Sequence, residues 1–256
     1  MRSKYEGLNG MKHNYSRYTK LCVWLALGVN IFVFSNAQEI EYRAQGLQTP
    51  AKIPQDIQMD SLARLPQILR EDLDDSGARA FDIYVSPGTG YETGLRGPVG
   101  MWMHSPVLAE AIFDLRQRVR FETPKDQRLT ELIILSTARE INNQYEWSAH
   151  EPLAQAAGLE QEIIEAIKYR RALNTLQSMP EFGLIERTLV EFTRELVSEE
   201  KVSSETFDKA LNLFGEEGLV DIVGLIGYYN LVAMTLKAFD VQRPVGSELL
   251  LPVSEN

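Results

Sequence analysis

The sequence predicts an all-α fold. Apolar residues recur at helical spacing through most of residues 58–245. Helix starts and stops are marked at Ser105-Pro106, Asn142-Asn143 and Gly158. Strand signals are confined to one short run, "FDIYV" at residues 81–85.

In chain order, residues 38–57 carry prolines and no sustained period, and are expected as an extended lead-in. Residues 60–73, "DSLARLPQILREDL", space their leucines helically, with Asp60 or Ser61 as cap and Pro66 as a kink. Residues 86–100 form a Gly/Pro-rich loop, long enough to carry function. A helix follows with Ser105 at the N-cap and Pro106 at its first position. Leu108, Ala111, Ile112, Leu115 and Val119 are its expected apolar stripe. Residues 124–158 are too long for one ordinary helix. The asparagine pair breaks them in two, because asparagine competes locally for backbone hydrogen bonds. Asn143 caps the second half and Gly158 ends it. Amphipathic helices are expected over residues 160–173, 183–197 and 204–214, the last capped by Ser204. Residues 218–239 are apolar nearly all round, as a buried central helix would be. Residues 246–256 read as a tail.

The chain has 256 residues, 44% of them hydrophobic and 24% charged, which suits one folded domain with extensions. The first 37 residues read as a secretory signal peptide: five cations precede the apolar run "LCVWLALGVNIFVF", and Ser35-Asn36-Ala37 offers the small residues of a cleavage site. The run has 14 residues, fewer than a spanning helix needs. Met11 is an alternative start, and an uncleaved membrane anchor is the alternative to cleavage. Cleavage takes 26 basic and 36 acidic residues to 21 and 35, a net charge of -14. Such a chain repels phosphate backbones, so nucleic-acid partners are not expected, nor a membrane once the leader is gone. The one cysteine, Cys22, lies in the leader, so the remaining chain has no thiol chemistry and no thiolate metal site.

The chemistry concentrates in "QYEWSAH", residues 144–150. Glu146 and His150 lie four apart, roughly 40° around a helix axis, so they share a face and can touch. A carboxylate beside an imidazole favours the imidazolium, which serves as proton donor or as a seat for an anion. The competing reading is an ion pair on a solvated helix face, with Trp147 in the core. Two facts favour the site. Only His104 and His150 remain after the leader. And if the chain folds back at the asparagines, Glu131 lies about 16 Å from the turn on one helix and His150 about 10 Å on the other, within reach of long side chains. His104 follows the Gly/Pro loop, where it either reaches a pocket or packs on the next turn. No His-Glu-x-x-His or Glu-x-x-His spacing supports a metal site, no Gly-x-Ser-x-Gly elbow supports a serine nucleophile, and no Gly-rich stretch has a phosphate-cradling context. No cofactor and no metal are expected.

"GPVGMWMHSPVLAEAI", "RLTELIILSTAREINNQYEWSAHEPLAQAAGL" and "LVDIVGLIGYYNLVAMTLKAFDVQRP" resemble the carboxymuconolactone decarboxylase family, which has the alkylhydroperoxidase D-like helical fold. The likeness spans roughly residues 97–244. In that family's peroxidase branch the corresponding helix carries Cys-x-x-Cys and a histidine, with a glutamate upstream. Here Glu146 stands at the second cysteine, His150 at the histidine and Glu131 at the glutamate. The resemblance therefore implies the other branch, a cofactor-free lyase that decarboxylates a small carboxylated lactone. His150 is then proton donor and electrostatic seat, Glu146 its orienting partner, and Glu131 a second acid/base or the orienter. His104, Trp147 and Arg139 are assigned to substrate binding. The resemblance also implies a homo-oligomer, trimer or hexamer. The leader implies an exported, periplasmic or secreted protein, hence a substrate other than the family's cytoplasmic one. A non-catalytic ligand-binding or assembly protein on the same fold, and a peroxidase, are the alternative functions.

Overall fold

The structure, a computed structural model, describes residues 53–176, 182–244 and 247–252. The expected signal peptide with Cys22, most of the lead-in and the last residues of the tail lie outside the described residues. The described residues form two units: one holds 53–83 and 96–252, the other the stretch Tyr84–Leu95. Eight α-helices are present among them: α1 Asp75–Val85, α2 Gly97–Trp102, α3 Pro106–Phe121, α4 Gln127–Glu140, α5 Gln144–Ala156, α6 Gln161–Lys168, α7 Leu184–Ser198 and α8 Ser204–Ala238. One isolated bridge, Gln58 with Ala63, is the only β pairing among the described residues.

The stretch Tyr84–Leu95 is a loop tied by its own side chains. The Thr89 hydroxyl donates to the Ser86 carbonyl at 2.8 Å. Glu92 folds back to accept from the backbone N–H groups of Gly88 at 2.7 Å and Gly90 at 3.2 Å.

The centre of the larger unit is α4. Its residues from Thr130 through Ala138 are all buried, because α5, α6, α7 and α8 pack around it. The expectation of a central helix at residues 218–239 is corrected. Leu219, Ile222, Leu225, Ile226 and Tyr229 of α8 face inward, but Val220 is 70% exposed, and Val223 and Met234 are exposed too. By length and composition α8 could cross a bilayer, yet half of its most apolar stretch is buried within the protein. It bends at Gly215, whose φ of 67° with an extended ψ is open only to glycine.

Other expectations fail for identifiable reasons. Residues 60–73 hold only a 3-10 turn, Arg70–Asp72. Pro66 lacks an N–H, Leu62 takes a positive φ of 55°, and Asp60 accepts from the N–H groups of Ser61 and Gln67. The segment then pairs with the end of α8 through Arg64 N–H to the Phe239 carbonyl and Gln242 N–H to the Leu62 carbonyl. The expected strand at 81–85 is the last part of α1. Asp74 starts that helix by accepting from the Gly77 N–H at 2.8 Å, and a five-residue apolar run is too short to decide its own state. On α3 the inward residues are Ala109, Ile112, Arg116 and Val119; Leu108, Ala111 and Leu115 of the expected stripe face solvent. The cap of α8 is Ser203, which accepts from Thr206 N–H, and not Ser204. The expected free tail is docked in part: Leu251 is buried, and its N–H and carbonyl both pair with the Gln144 side chain.

The break at residues 142–143 stands as the sequence predicts. Asn142 has φ 51°, and Asn143 caps α5 by accepting from Glu146 N–H at 3.0 Å. Gly158 closes α5 at φ 87°. Asn143→Ala is expected to cost about 1 kcal/mol, the usual value of an N-cap, while Asn143→Asp costs little. Thermal or denaturant unfolding of both variants checks this.

Candidate active site

The reversal at Asn142-Asn143 lays α5 antiparallel on α4, and this turns two separate sequence signals into one site. His150 of α5 places Nδ1 2.6 Å from Glu131 Oε2 of α4. Arg120, in the last turn of α3, donates from Nη2 to the other oxygen of the same carboxylate at 2.8 Å. On the far side of the ring, Nε2 is 3.2 Å from the Tyr229 hydroxyl of α8 and 3.5 Å from Glu146 Oε2. Tyr229 meets His150 edge-on, and Tyr228 meets Tyr229 the same way, each with ring centres 5.1 Å apart.

The cluster is closed. His150 is 6% exposed and Glu146 5%. Burial works against the charge on Glu131, but His150 and Arg120 outweigh it and hold its carboxyl below the usual range. Burial raises Glu146, and the opposing pull of His150 and Arg120 does not cancel it. Burial also pushes the Tyr229 phenol well above its ordinary value. Burial works against the charge on Arg120, and the ionised Glu131 paired with its guanidinium outweighs it.

A tautomer follows. Glu131 is an acceptor at both oxygens, so His150 Nδ1–H donates to it and Nε2 is left toward Tyr229 and Glu146. Nε2 faces the Tyr229 hydroxyl at 3.2 Å and Glu146 Oε2 at 3.5 Å, with one lone pair to offer. The Arg120 and Glu131 charges cancel. Transfer of a proton from Glu146 to His150 would leave the buried net charge unchanged.

Glu131, Glu146 and His150 are brought together; the three residues assigned to substrate binding are not. His104 is exposed, and its Nε2 donates to the Pro66 carbonyl at 2.9 Å. Trp147 is fully buried, its indole N–H donates to Glu151 at 2.5 Å, and Lys168 lies over its ring. Trp147 is core. Arg139 donates to the Lys168 carbonyl at 2.6 Å and to the Asn142 side chain, so it clamps the end of α4. Glu131 pairs with Nδ1 of the ring, and Glu146 lies on its Nε2 side. Arg120 and Tyr229 were missed. Arg120 is one of three arginines in "RQRVRF", and nothing local separates it from the others. Two surface depressions, of about 260 and 540 Å³, are lined by Glu140, Arg170 and Arg194 and by Arg70, Asp75 and Arg79, with no residue of the cluster.

No protein-family model and no curated protein matches the chain. Solved structures do. The alkylhydroperoxidase AhpD core of a peroxidase-related protein from Ralstonia eutropha JMP134 superposes with a TM-score of 0.53 at 16% identity, over 72% of this chain and 93% of that one. The debrominase Bmp8 superposes with a TM-score of 0.53 at 16% identity, over 70% and 90%. A variant of that debrominase in complex with 2,3,4-tribromopyrrole gives 0.52 at 17% identity, over 69% and 89%. At these identities the likeness is one of fold: the chain has the all-α, alkylhydroperoxidase D-like fold that its sequence resembles.

Proposed function

We propose that this chain is a cofactor-free acid/base enzyme that decarboxylates a small carboxylated, lactone-like substrate. One observation carries the reading: a buried imidazole bracketed by Glu131 on Nδ1 and by Glu146 and Tyr229 on Nε2, in a cluster that can move a proton at no cost in net charge. In the reaction the carbon–carboxyl bond breaks, carbon dioxide leaves, and its electron pair passes into the conjugated carbonyl as an enolate. His150 Nε2 delivers a proton to the carbon, Glu146 refills Nε2, and solvent refills Glu146. Glu131 holds the ring in register throughout. The helical domain contains no cysteine, so a thiol peroxidase cannot operate in it. The leader-like residues 1–37 support export, and the exposed Val107, Val220 and Met234 support self-association.

A second reading, a non-catalytic protein on the same fold, is favoured by the closure of the cluster, which is also how a structural polar core looks. Carbon dioxide release from a panel of conjugated lactone carboxylates separates the two. Wild type is expected to turn one over, and Glu146→Gln to lower kcat by roughly 100-fold with the fold intact. No turnover across the panel, or a variant within about threefold of wild type, sinks the catalytic reading.

A further inference from the structure

Arg120 holds a donor that the protein leaves unused. Its Nη2 is bound to Glu131, and its guanidinium lies 5.0 Å from the Phe121 ring centre. Its Nε is the one buried side-chain nitrogen or oxygen among the described residues that no hydrogen-bond partner reaches. The Arg120 side chain is only 11% exposed, and a buried donor on a charged group without an acceptor is costly. Glu131 does not reach it: one of its oxygens pairs with Arg120 Nη2 and the other with His150. A guanidinium offers N–H groups in a rigid fork matched to a carboxylate.

We propose that Arg120 seats a carboxylate of the substrate through its Nε–H, which makes the ligand of this site a small organic anion. This rests on the proposed function, since both put the ligand beside His150.

The test uses 5-oxotetrahydrofuran-2-carboxylate, a saturated lactone acid with no conjugated electron sink, and its carboxamide. On the full-length protein the acid is expected to bind at least roughly tenfold more tightly than the amide. The Arg120 Nε–H resonance, assigned by its loss in Arg120→Lys, should move downfield on addition of the acid. Equal binding of acid and amide, binding of neither, or binding that leaves that resonance in place overturns the proposal; in the last case Nε is satisfied by water alone. The probe does not react, so the two ideas fail separately. Seating of the probe on Arg120 with no lactone turned over sinks only the decarboxylase, and turnover with an unmoved Arg120 signal sinks only the seat.

Discussion

Glu131→Gln is expected to lower the unfolding free energy by about 3–5 kcal/mol, the usual cost of removing one member of a buried charge pair. In a domain of this size that corresponds to a fall in Tm of roughly 10 °C. The reason is the charge left behind. Glu131 is the partner of Arg120 at 2.8 Å and of His150 at 2.6 Å, and its carboxylate is the anion that balances the guanidinium. A glutamine of the same shape keeps the volume and strands the cation. The double variant Glu131→Gln with Arg120→Met should recover much of the loss, because removing both charges removes the desolvation cost together with the attraction. The pH dependence follows from the same carboxyl. Its pKa is depressed in the folded state, so its contribution is complete above the unfolded value and disappears as pH falls through the depressed one. Wild type should therefore show an acid limb of stability that Glu131→Gln lacks. Glu146 has the opposite sign: its raised pKa gives a contribution present at low pH and lost as pH rises through the folded value. Equal stability of wild type and Glu131→Gln across neutral pH would show that the guanidinium does not depend on this carboxylate.

The second large effect concerns His150. His150→Ala is expected to reduce kcat on any confirmed substrate by roughly 10²–10⁴-fold, the range for a lost general acid/base. Among the described residues, the ring is the group set against Glu131, Glu146 and Tyr229 together. Added imidazole separates chemistry from structure. A small base that diffuses into the gap restores proton transfer but does not restore a packing defect, so partial rescue of kcat with an unchanged Tm is the expected signature. Turnover of the alanine variant within about threefold of wild type would remove His150 from the mechanism.

The legible parts of this protein are those whose causes are local. Asn143 and Gly158 bound α5 by their own backbone preferences, and both are visible in the sequence. Glu146 and His150 share a face because of helical geometry alone. Glu131 follows from one further assumption, an antiparallel turn at the asparagines. The illegible parts are set at long range. Residues 60–73 look helical until the end of α8 supplies backbone partners for Leu62 and Arg64. Tyr229 reaches the ring from 79 positions away, and nothing in its own helix says which of two adjacent tyrosines will do so. Arg120 depends on how α3 rolls against α4, the same rotation that turned Leu108 and Leu115 outward. His104, Trp147 and Arg139 have suitable chemistry, but chemistry type carries no position, and their partners are backbone carbonyls and core groups.

The docked segment around Leu251 has a consequence for biogenesis. Helix α5 is complete in chain order at Ala156, yet Gln144 at its start is held by a residue 107 positions further on. A ribosome adding a few residues each second exposes α5 well before that partner exists. The nascent hairpin of α4 and α5 must then wait, with its buried cation and carboxylates open to water, until α8 and the terminal segment emerge. Closure of the buried cluster therefore follows the synthesis of α8, and contacts of such long sequence separation make it a slow step.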